Sequence, residues 1–181
     1  MNGIIHNLIY VTPTRGLMYV GDMDNGRMVH RLEHLSCYLP GVLALGAQVL
    51  PHDDPSFPDE TRQLHKWAAH GLAYTCAISY ADQKNGLGPD IMQMPREGKR
   101  WIEELNKWKK AGRSGSPPGV TEPPVEHEPG NRDYFNNWPN AYLLRPEVRM
   151  KVFSFTEISY EFIFFFRQLR VFSCCGGQPE M

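Results

Sequence analysis

The chain has 181 residues, which suits one domain of ordinary size, and its hydrophobic content of 41% allows a core without making it large. A net charge of −1 gives no electrostatic reason to expect nucleic acid or an anionic membrane as a partner. The sequence shows no apolar run near the roughly 20 residues that cross a bilayer and no signal peptide, so we expect no membrane segment within this chain.

A short helix and a hairpin are predicted first along the chain. Apolar residues at helical spacing predict a helix over residues 3–11. Asn25-Gly26 is the strongest two-residue signal for a hairpin turn, and short apolar runs at 17–20 and 28–30 flank it. We therefore expect these two runs to pair as the strands of the hairpin.

Three longer helices are predicted downstream. A second helix is expected over residues 33–50, and a third over 59–80, where Asp59 is a suitable N-cap. A fourth helix is expected over 97–110, with lysines at its C-terminal end, where positive charge favours the helix dipole. Residues 112–130 are rich in Gly, Ser and Pro and predict a loop.

Aromatic and histidine side chains on these helices are predicted to differ in burial. Trp67, Trp101 and Trp108 fall on apolar stripes at helical spacing, which favours positions in the core. His65 and His70 are five residues apart, off one helical face, so we expect both at the surface.

The tripeptide Arg145-Pro146-Glu147 is the first candidate for chemistry. Proline fixes its own φ and restricts the residue before it, so Arg145 and Glu147 are held in a nearly set relative geometry. A carboxylate near a guanidinium stays ionised, which suits a side chain that must act on a substrate. Taken alone, however, the tripeptide is also what a solvated turn with a surface ion pair looks like.

Three further segments agree with this tripeptide in order and spacing. They read Arg-Leu-Glu-His-Leu-Ser-Cys-Tyr-Leu-Pro-Gly at 31–41, Gly-Leu-Ala-Tyr-Thr-Cys at 71–76 and Gly-Leu-Gly-Pro-Asp at 86–90. Together with Leu-Arg-Pro-Glu at 144–147, they resemble the class I α-1,2-mannosidases, glycoside hydrolase family 47. The resemblance covers residues 1–147, which we interpret as part of a catalytic domain of that family.

The resemblance implies a fold, a reaction and a partner. The fold is all-α, a fragment of an (α/α)7 barrel with a small β-hairpin, and an incomplete barrel is expected to leave apolar helix faces without neighbours. The reaction is the hydrolysis of terminal α-1,2-linked mannose, with inversion, and the partner is a high-mannose N-glycan. The implied location is the secretory pathway, in the endoplasmic reticulum or the Golgi.

The resemblance also assigns roles to five side chains. By its place in the motif, Glu147 resembles the general base, and Arg145 resembles the arginine that holds sugar hydroxyls. Glu33 and His34 match an acidic–histidine pair that lines the sugar site, and Asp90 matches a further carboxylate there. Glu33 stands where the family usually has aspartate, and Asp90 stands where many members have glutamate, which leaves their individual contacts open.

Cysteine pairing and metal binding are two further properties on which the sequence bears. Cys37 and Cys76 occupy motif positions, and the resemblance implies a disulfide between them and an oxidising compartment; two buried free thiols are the alternative. The resemblance implies Ca²⁺ as cofactor, but the family's threonine ligand lies outside this chain, and no metal ligand is identifiable here. A zinc site at His30, His34 and Cys37 is disfavoured because no fourth ligand has matching spacing.

Part of the family's catalytic machinery is missing from this sequence. Inverting hydrolysis needs a general acid as well as a base, and the family's acid comes from an early segment that this chain lacks, so we expect the isolated chain to be inactive. Agreement with the family ends at Glu147, and we interpret 148–181 as a divergent tail that is not family sequence. Two alternatives stay open: a non-catalytic protein that binds mannose glycans, and a non-functional truncated fragment.

Overall fold

The computed structural model of the chain describes residues 1–128, 130 and 132–136. Within these residues the chain forms four α-helices, one 3₁₀ helix and eight short strands. The helices are α1 (Asn2–Asn7), the 3₁₀ helix (His34–Tyr38), α2 (Leu39–Val49), α3 (Asp59–Ala81) and α4 (Trp101–Lys110). The strands are β1 (Ile9–Val11), β2 (Met18–Val20), β3 (Asp22–Asp24), β4 (Arg27–Val29), β5 (Arg31–Glu33), β6 (Ile91–Gln93), β7 (Lys99–Arg100) and β8 (Phe135–Asn136).

The strands form three small antiparallel sheets in the described part of the chain. Their strand orders are β2-β1-β7, β3-β4 and β5-β6-β8. Helices and small sheets together are compatible with a fragment of a larger helical domain. The strands are more numerous than the single hairpin expected from the sequence, because short segments before α2, between α3 and α4 and after α4 pair with one another.

The predicted hairpin turn is confirmed, but one of its strands differs from the prediction. Asn25 has φ 48° and Gly26 has φ 75°, the left-handed pair that a tight two-residue hairpin requires. A two-residue turn forces its immediate neighbours to pair, so Asp24 faces Arg27 and the first strand is β3. Residues 17–20 pair with β1 instead.

Three predicted helices begin or end elsewhere because residues at their predicted ends form strands instead. The first helix stops at Asn7, and the β-branched segment of β1 pairs with β2 on one side and β7 on the other. The second helix begins only at Leu39, and Glu33 lies in β5, paired with Ile91. The fourth helix begins at Trp101, because β7 takes the residues before it.

The third helix agrees with its prediction and is the centre of the core. It spans 23 residues, and its N-cap is Pro58 rather than Asp59. One apolar cluster joins α3 to α1, α2, α4 and the first sheet, and a second cluster lies under the strands near the end of α3. The large side chains of the first cluster are Ile5, Ile9, Met18, Leu43, Leu64, Leu72, Trp101 and Leu105.

The predicted burial is correct for the tryptophans and wrong for one histidine. Trp101 is fully buried, and the rings of Trp67 and Trp108 pack edge to face at 5.8 Å against the core. His65 is buried, because its Nε2 pairs with Oδ1 of Asn2 at 3.1 Å and its ring packs against Phe57. A histidine can be buried when its polar atoms find partners, and spacing along the helix alone did not reveal them.

The loop after α4 follows the surface of α3 without forming a helix or strand over residues 111–128. Its carbonyl oxygens accept hydrogen bonds from two core aromatics, with Trp101 donating to Pro118 at 2.8 Å and Tyr74 donating to Pro123 at 2.5 Å. The carbonyl of Gly119 approaches α3 at Gly71, where a Cβ would lie 2.3 Å from that oxygen. Glycine is therefore required at position 71 for the loop to pack.

The outer face of α2 carries exposed aliphatic side chains. Leu43, Ala44 and Ala47 turn inward against α3, while Leu45 is 51% exposed and Val49 is 66% exposed. Such a face agrees with the expectation that a partial helical domain leaves apolar surface without neighbours. Among the described residues, no helix has the length and apolar composition needed to cross a membrane.

Candidate functional site

Three of the predicted site residues meet where β5 pairs with β6. Glu33 is the last residue of β5 and lies opposite Ile91 in the antiparallel register. His34 follows at once, and its backbone N–H donates to the carbonyl oxygen of Asp90 at 2.9 Å. Two segments separated by more than fifty residues in the sequence are therefore joined backbone to backbone at this point.

The side chains of these residues differ in their exposure to solvent. His34 is only 3% exposed, whereas Asp90 is exposed and the Glu33 side chain is 44% exposed. Arg31 forms ion pairs of 2.8 Å with Glu33 and 2.7 Å with Asp22. A buried imidazole therefore has two residues with accessible carboxylates beside it along the backbone, and these carboxylates offer hydrogen-bond acceptors to a hydroxyl-rich ligand.

Tyr80, which the sequence analysis did not single out, holds the ring of His34. The phenol oxygen lies 2.5 Å from Nε2 of His34, and the two rings meet edge to face at 5.5 Å. Tyr80 lies in the last turn of α3, four residues after Cys76. Its position one helical turn beyond a motif cysteine, on the same face, is the sequence signal that was available.

The glycine-rich motif at 86–90 supplies the surface on which Tyr80 rests. A Cβ on Gly88 would lie 2.8 to 2.9 Å from three atoms of the Tyr80 ring, closer than side chains pack. Gly88 and Pro89 are both buried. Glycine at this position therefore allows the loop to lie against the ring. Two residues later, the carbonyl oxygen of Asp90 accepts the hydrogen bond from the backbone N–H of His34.

A disulfide joins Cys37 to Cys76, with 6.1 Å between their Cα atoms, as the resemblance implied. Cys37 is in the 3₁₀ helix three residues after His34, and Cys76 is in α3 one turn before Tyr80. The covalent bond and the His34–Tyr80 hydrogen bond therefore connect the same two elements side by side. The alternative of two free thiols does not describe this structure.

Strand β8 brings the chain toward the same place. It pairs antiparallel with β6, which pairs antiparallel with β5, so β8 and β5 run in the same direction. Met92 faces both Leu32 and Asn136, which puts Asn136 two strand spacings, about 10 Å, from the residue that precedes Glu33. Arg145 and Glu147 lie outside the described residues.

Side chains that could ligate a metal do not cluster in the described part of the chain. No group of three or more His, Cys, Asp or Glu in the described part of the chain is arranged to hold a metal ion. His30, a candidate zinc ligand in the sequence, instead forms a hydrogen bond of 2.6 Å between its Nδ1 and the Tyr19 hydroxyl. Burial lowers the pKa of its imidazole, and the positive charge of Arg96 lowers it further.

Comparison with known protein families gives a match over most of the chain. Residues 1–155 match the profile described as glycosyl hydrolase family 47. The chain belongs to glycosyl hydrolase family 47. The match includes His34, Asp90 and the disulfide cysteines, together with the segment that carries Arg145 and Glu147.

Curated relatives of this family 47 chain carry mannosidase names. The mannosyl-oligosaccharide 1,2-alpha-mannosidase MNS3 of Arabidopsis thaliana is 36% identical over 102 residues, which cover 50% of this chain and 16% of the relative. The mannosyl-oligosaccharide alpha-1,2-mannosidase IA of Drosophila melanogaster is 32% identical over 51% of this chain and 13% of the relative. The endoplasmic reticulum mannosyl-oligosaccharide 1,2-alpha-mannosidase of Homo sapiens is 33% identical over 54% of this chain and 13% of the relative. The aligned part of this chain spans less than a fifth of each of these relatives.

Proposed function

We propose that this chain is part of an α-1,2-mannosidase domain and that it carries one side of a mannose site. The observation that carries the proposal is the meeting of Glu33, His34 and Asp90 beside the strand that leads to Arg145 and Glu147. The mannosidase names of the family relatives supply the substrate class. A terminal α-1,2-linked mannose of a high-mannose N-glycan is the proposed ligand.

The path of the chain supports bringing Glu147 to this site. Arg145 and Glu147 follow Asn136 by nine and eleven residues, and an extended chain gains about 3.3 Å per residue. At Asn136, β8 runs in the same direction as β5, which leads to His34, and eleven further residues are long enough to span the distance to that ring. We assign Glu147 as the general base and Arg145 as a sugar-hydroxyl ligand that favours the ionised carboxylate.

The activity proposed for the isolated chain is binding rather than turnover. Inversion requires an acid on the other face of the glycosidic bond, about 6.5–9.5 Å from the base. We identified no residue of this chain for that role, so the complete enzyme would draw its acid, and the remaining helices of an (α/α)7 barrel, from sequence outside this chain. Ca²⁺ is likewise proposed only for the complete domain.

The domain limits and the cellular location are proposed from the family match, the disulfide and the names of the relatives. We assign residues 1–147 to the family domain and 148–181 to a divergent tail; the family match to residue 155 overlaps the first part of that tail, and transcript sequencing tests the boundary. The secretory pathway is the proposed location, supported by the disulfide and by relatives named for the endoplasmic reticulum.

Binding of α-1,2-mannobiose to the purified chain, measured by calorimetry with cellobiose as the control sugar, tests the proposal. We expect mannobiose alone to bind, and we expect His34→Ala to weaken binding at least about tenfold because a buried ring contact is lost. His52→Ala, at an exposed histidine in the loop before α3, is the matched control and should bind normally. Equal binding of both sugars, or no effect of His34→Ala, contradicts the proposed site.

A non-catalytic glycan-binding protein is the second candidate, favoured by the missing acid. Release of mannose from a Man9 glycan distinguishes the two. We expect no release by the isolated chain. Release that disappears in Glu147→Gln would show that the chain is catalytic after all. Failure to bind and failure to release together would favour the non-functional fragment.

A further inference from the structure

The carboxylate of Asp82 is fully buried and accepts hydrogen bonds from three residues in two other segments of the chain. Asp82 is the C-cap residue of α3 and has 0% exposure. Its oxygens accept from the Arg15 guanidinium at 2.7 and 3.3 Å, from the backbone N–H of Glu126 at 2.7 Å and from the Tyr134 hydroxyl at 3.0 Å. A single buried side chain thus joins the turn before β2, the end of α3 and the loop that leads to β8.

The charges around Asp82 are balanced within the network. Arg15 also donates to the carbonyl of Arg132 at 3.1 Å, and Arg132 donates to the backbone carbonyl of Asp82 at 2.6 Å. The carboxylate of Asp133 accepts from the backbone N–H groups of Thr14 and Arg15. The buried ion pair of Arg15 and Asp82, 2.7 Å apart, is therefore surrounded by hydrogen bonds that leave its two side chains little freedom to exchange partners.

Residues at the C-terminal end of α3 form hydrogen bonds both with His34 and with the chain at strand β8. Two residues before Asp82, Tyr80 holds the ring of His34. One residue after it, the Gln83 side chain donates to the Tyr134 hydroxyl at 3.3 Å and accepts from the Asn136 side chain at 3.2 Å. The C-terminal end of α3 therefore sets the distance between His34 and strand β8.

We infer that Asp82 is a positioning residue that holds β8 in register with His34. This inference rests on the proposed function, since it gives Asp82 a part in sugar binding. Buried ion pairs contribute little to net stability compared with apolar residues of the same shape, and their attested use is to specify one arrangement. Asp82 is placed to do so, because its donors come from the segments that must be aligned.

Tyr134→Phe is the sharpest test, because it removes only the hydroxyl that donates to Asp82 and accepts from Gln83, and it leaves the rest of the ring in the core. Tyr74→Phe is the matched control, since the Tyr74 hydroxyl donates to Pro123 in the same loop but not to Asp82. Asp82→Asn is the second variant and removes the charge while keeping the shape. Each full-length variant is compared with the unmodified chain in thermal stability, α-1,2-mannobiose affinity and amide hydrogen exchange.

We expect Tyr134→Phe to weaken mannobiose binding about tenfold, the value of one hydrogen bond to a charged group, while Tyr74→Phe stays within about twofold at a similar melting temperature. Amide exchange should accelerate in residues 132–136 and not in β1 or β2. Equal mannobiose affinities in the two tyrosine variants overturn the inference. So do losses of affinity that are proportional to the loss of thermal stability in each variant.

Hydrogen exchange separates this inference from the proposed function. If the unmodified chain does not bind mannobiose, the proposed function fails, and exchange alone decides the role of Asp82. Faster exchange confined to residues 132–136 in Tyr134→Phe then supports positioning. Exchange that is unchanged, or raised throughout the chain, contradicts it even if Asp82→Asn does not fold.

Discussion

The hydroxyl of Tyr80 and Nε2 of His34 are 2.5 Å apart, although 46 residues separate them in the sequence. This hydrogen bond links the first motif of the chain to the end of α3, and the loop of the third motif packs against Tyr80 through Gly88. Motifs that are scattered along the sequence therefore converge on one buried imidazole. Its geometry depends on contacts that can be altered one at a time.

Gly88→Ala should disturb this hydrogen bond by displacing Tyr80. The added methyl group would lie within 2.9 Å of the ring, so the ring or the loop must shift, and we expect about 1–3 kcal/mol of destabilisation. Chemical denaturation measures the loss. Gly46→Ala is the control, because it lies within α2 with no atom within 4 Å of the new methyl and should stabilise by about 0.5–1 kcal/mol. Similar effects at the two glycines would contradict the proposed contact.

Loss of the Cys37–Cys76 disulfide should destabilise the chain and loosen His34. Removing a native disulfide typically costs about 2–5 kcal/mol, and this one closes a separation of 39 residues. Cys37→Ser is compared with Cys174→Ser by chemical denaturation, with and without reductant. Reductant should destabilise the unmodified chain and Cys174→Ser but not Cys37→Ser. Insensitivity of the unmodified chain to reductant would show that the bridge does not form.

Arg62→Met should uncap the end of α2. The buried guanidinium donates to the carbonyl oxygens of Ala47, Leu50 and Pro51 at 2.7, 3.1 and 2.8 Å. Methionine fills the space but leaves these acceptors without the donor, so we expect a loss of about 2–4 kcal/mol, measured by thermal and chemical denaturation. Arg27→Met, at an exposed position in β4, is the control and should change stability little. A loss at position 62 no larger than at position 27 would argue against capping.

Acid should destabilise the chain through His65. Burial lowers the pKa of its imidazole below the ordinary value of 6.5. Between the lowered folded value and 6.5 the unfolded chain binds more protons, so the stabilisation is present above 6.5 and is lost as the pH falls through the folded value.

His65→Gln tests this pH dependence, with His52→Gln at an exposed histidine as the control. The free energy of unfolding should fall less steeply from neutral to acidic pH in His65→Gln than in the unmodified chain. The slope of His52→Gln should match that of the unmodified chain. Identical slopes in all three proteins would exclude His65 as the source.

Local signals predicted some elements well because neighbours in the sequence are sufficient to form them. Helix α3 has a long amphipathic pattern, and the turn at Asn25 and Gly26 needs only two residues that accept positive φ. The three-residue strands β1, β5 and β6 have no such internal signal. Each depends on a partner strand from another part of the chain, and the partner changed the expected ends of two helices.

The sequence by itself determined the family, the motif residues and the cysteine pair, because each depends on residue identity and order. The tertiary structure alone revealed that Tyr80 holds His34 and that Gly88 supports Tyr80. It also revealed that the buried charge of Asp82 joins three segments. Such contacts are decided by packing and by the requirement that buried polar atoms be paired, and both depend on residues that are distant in the chain.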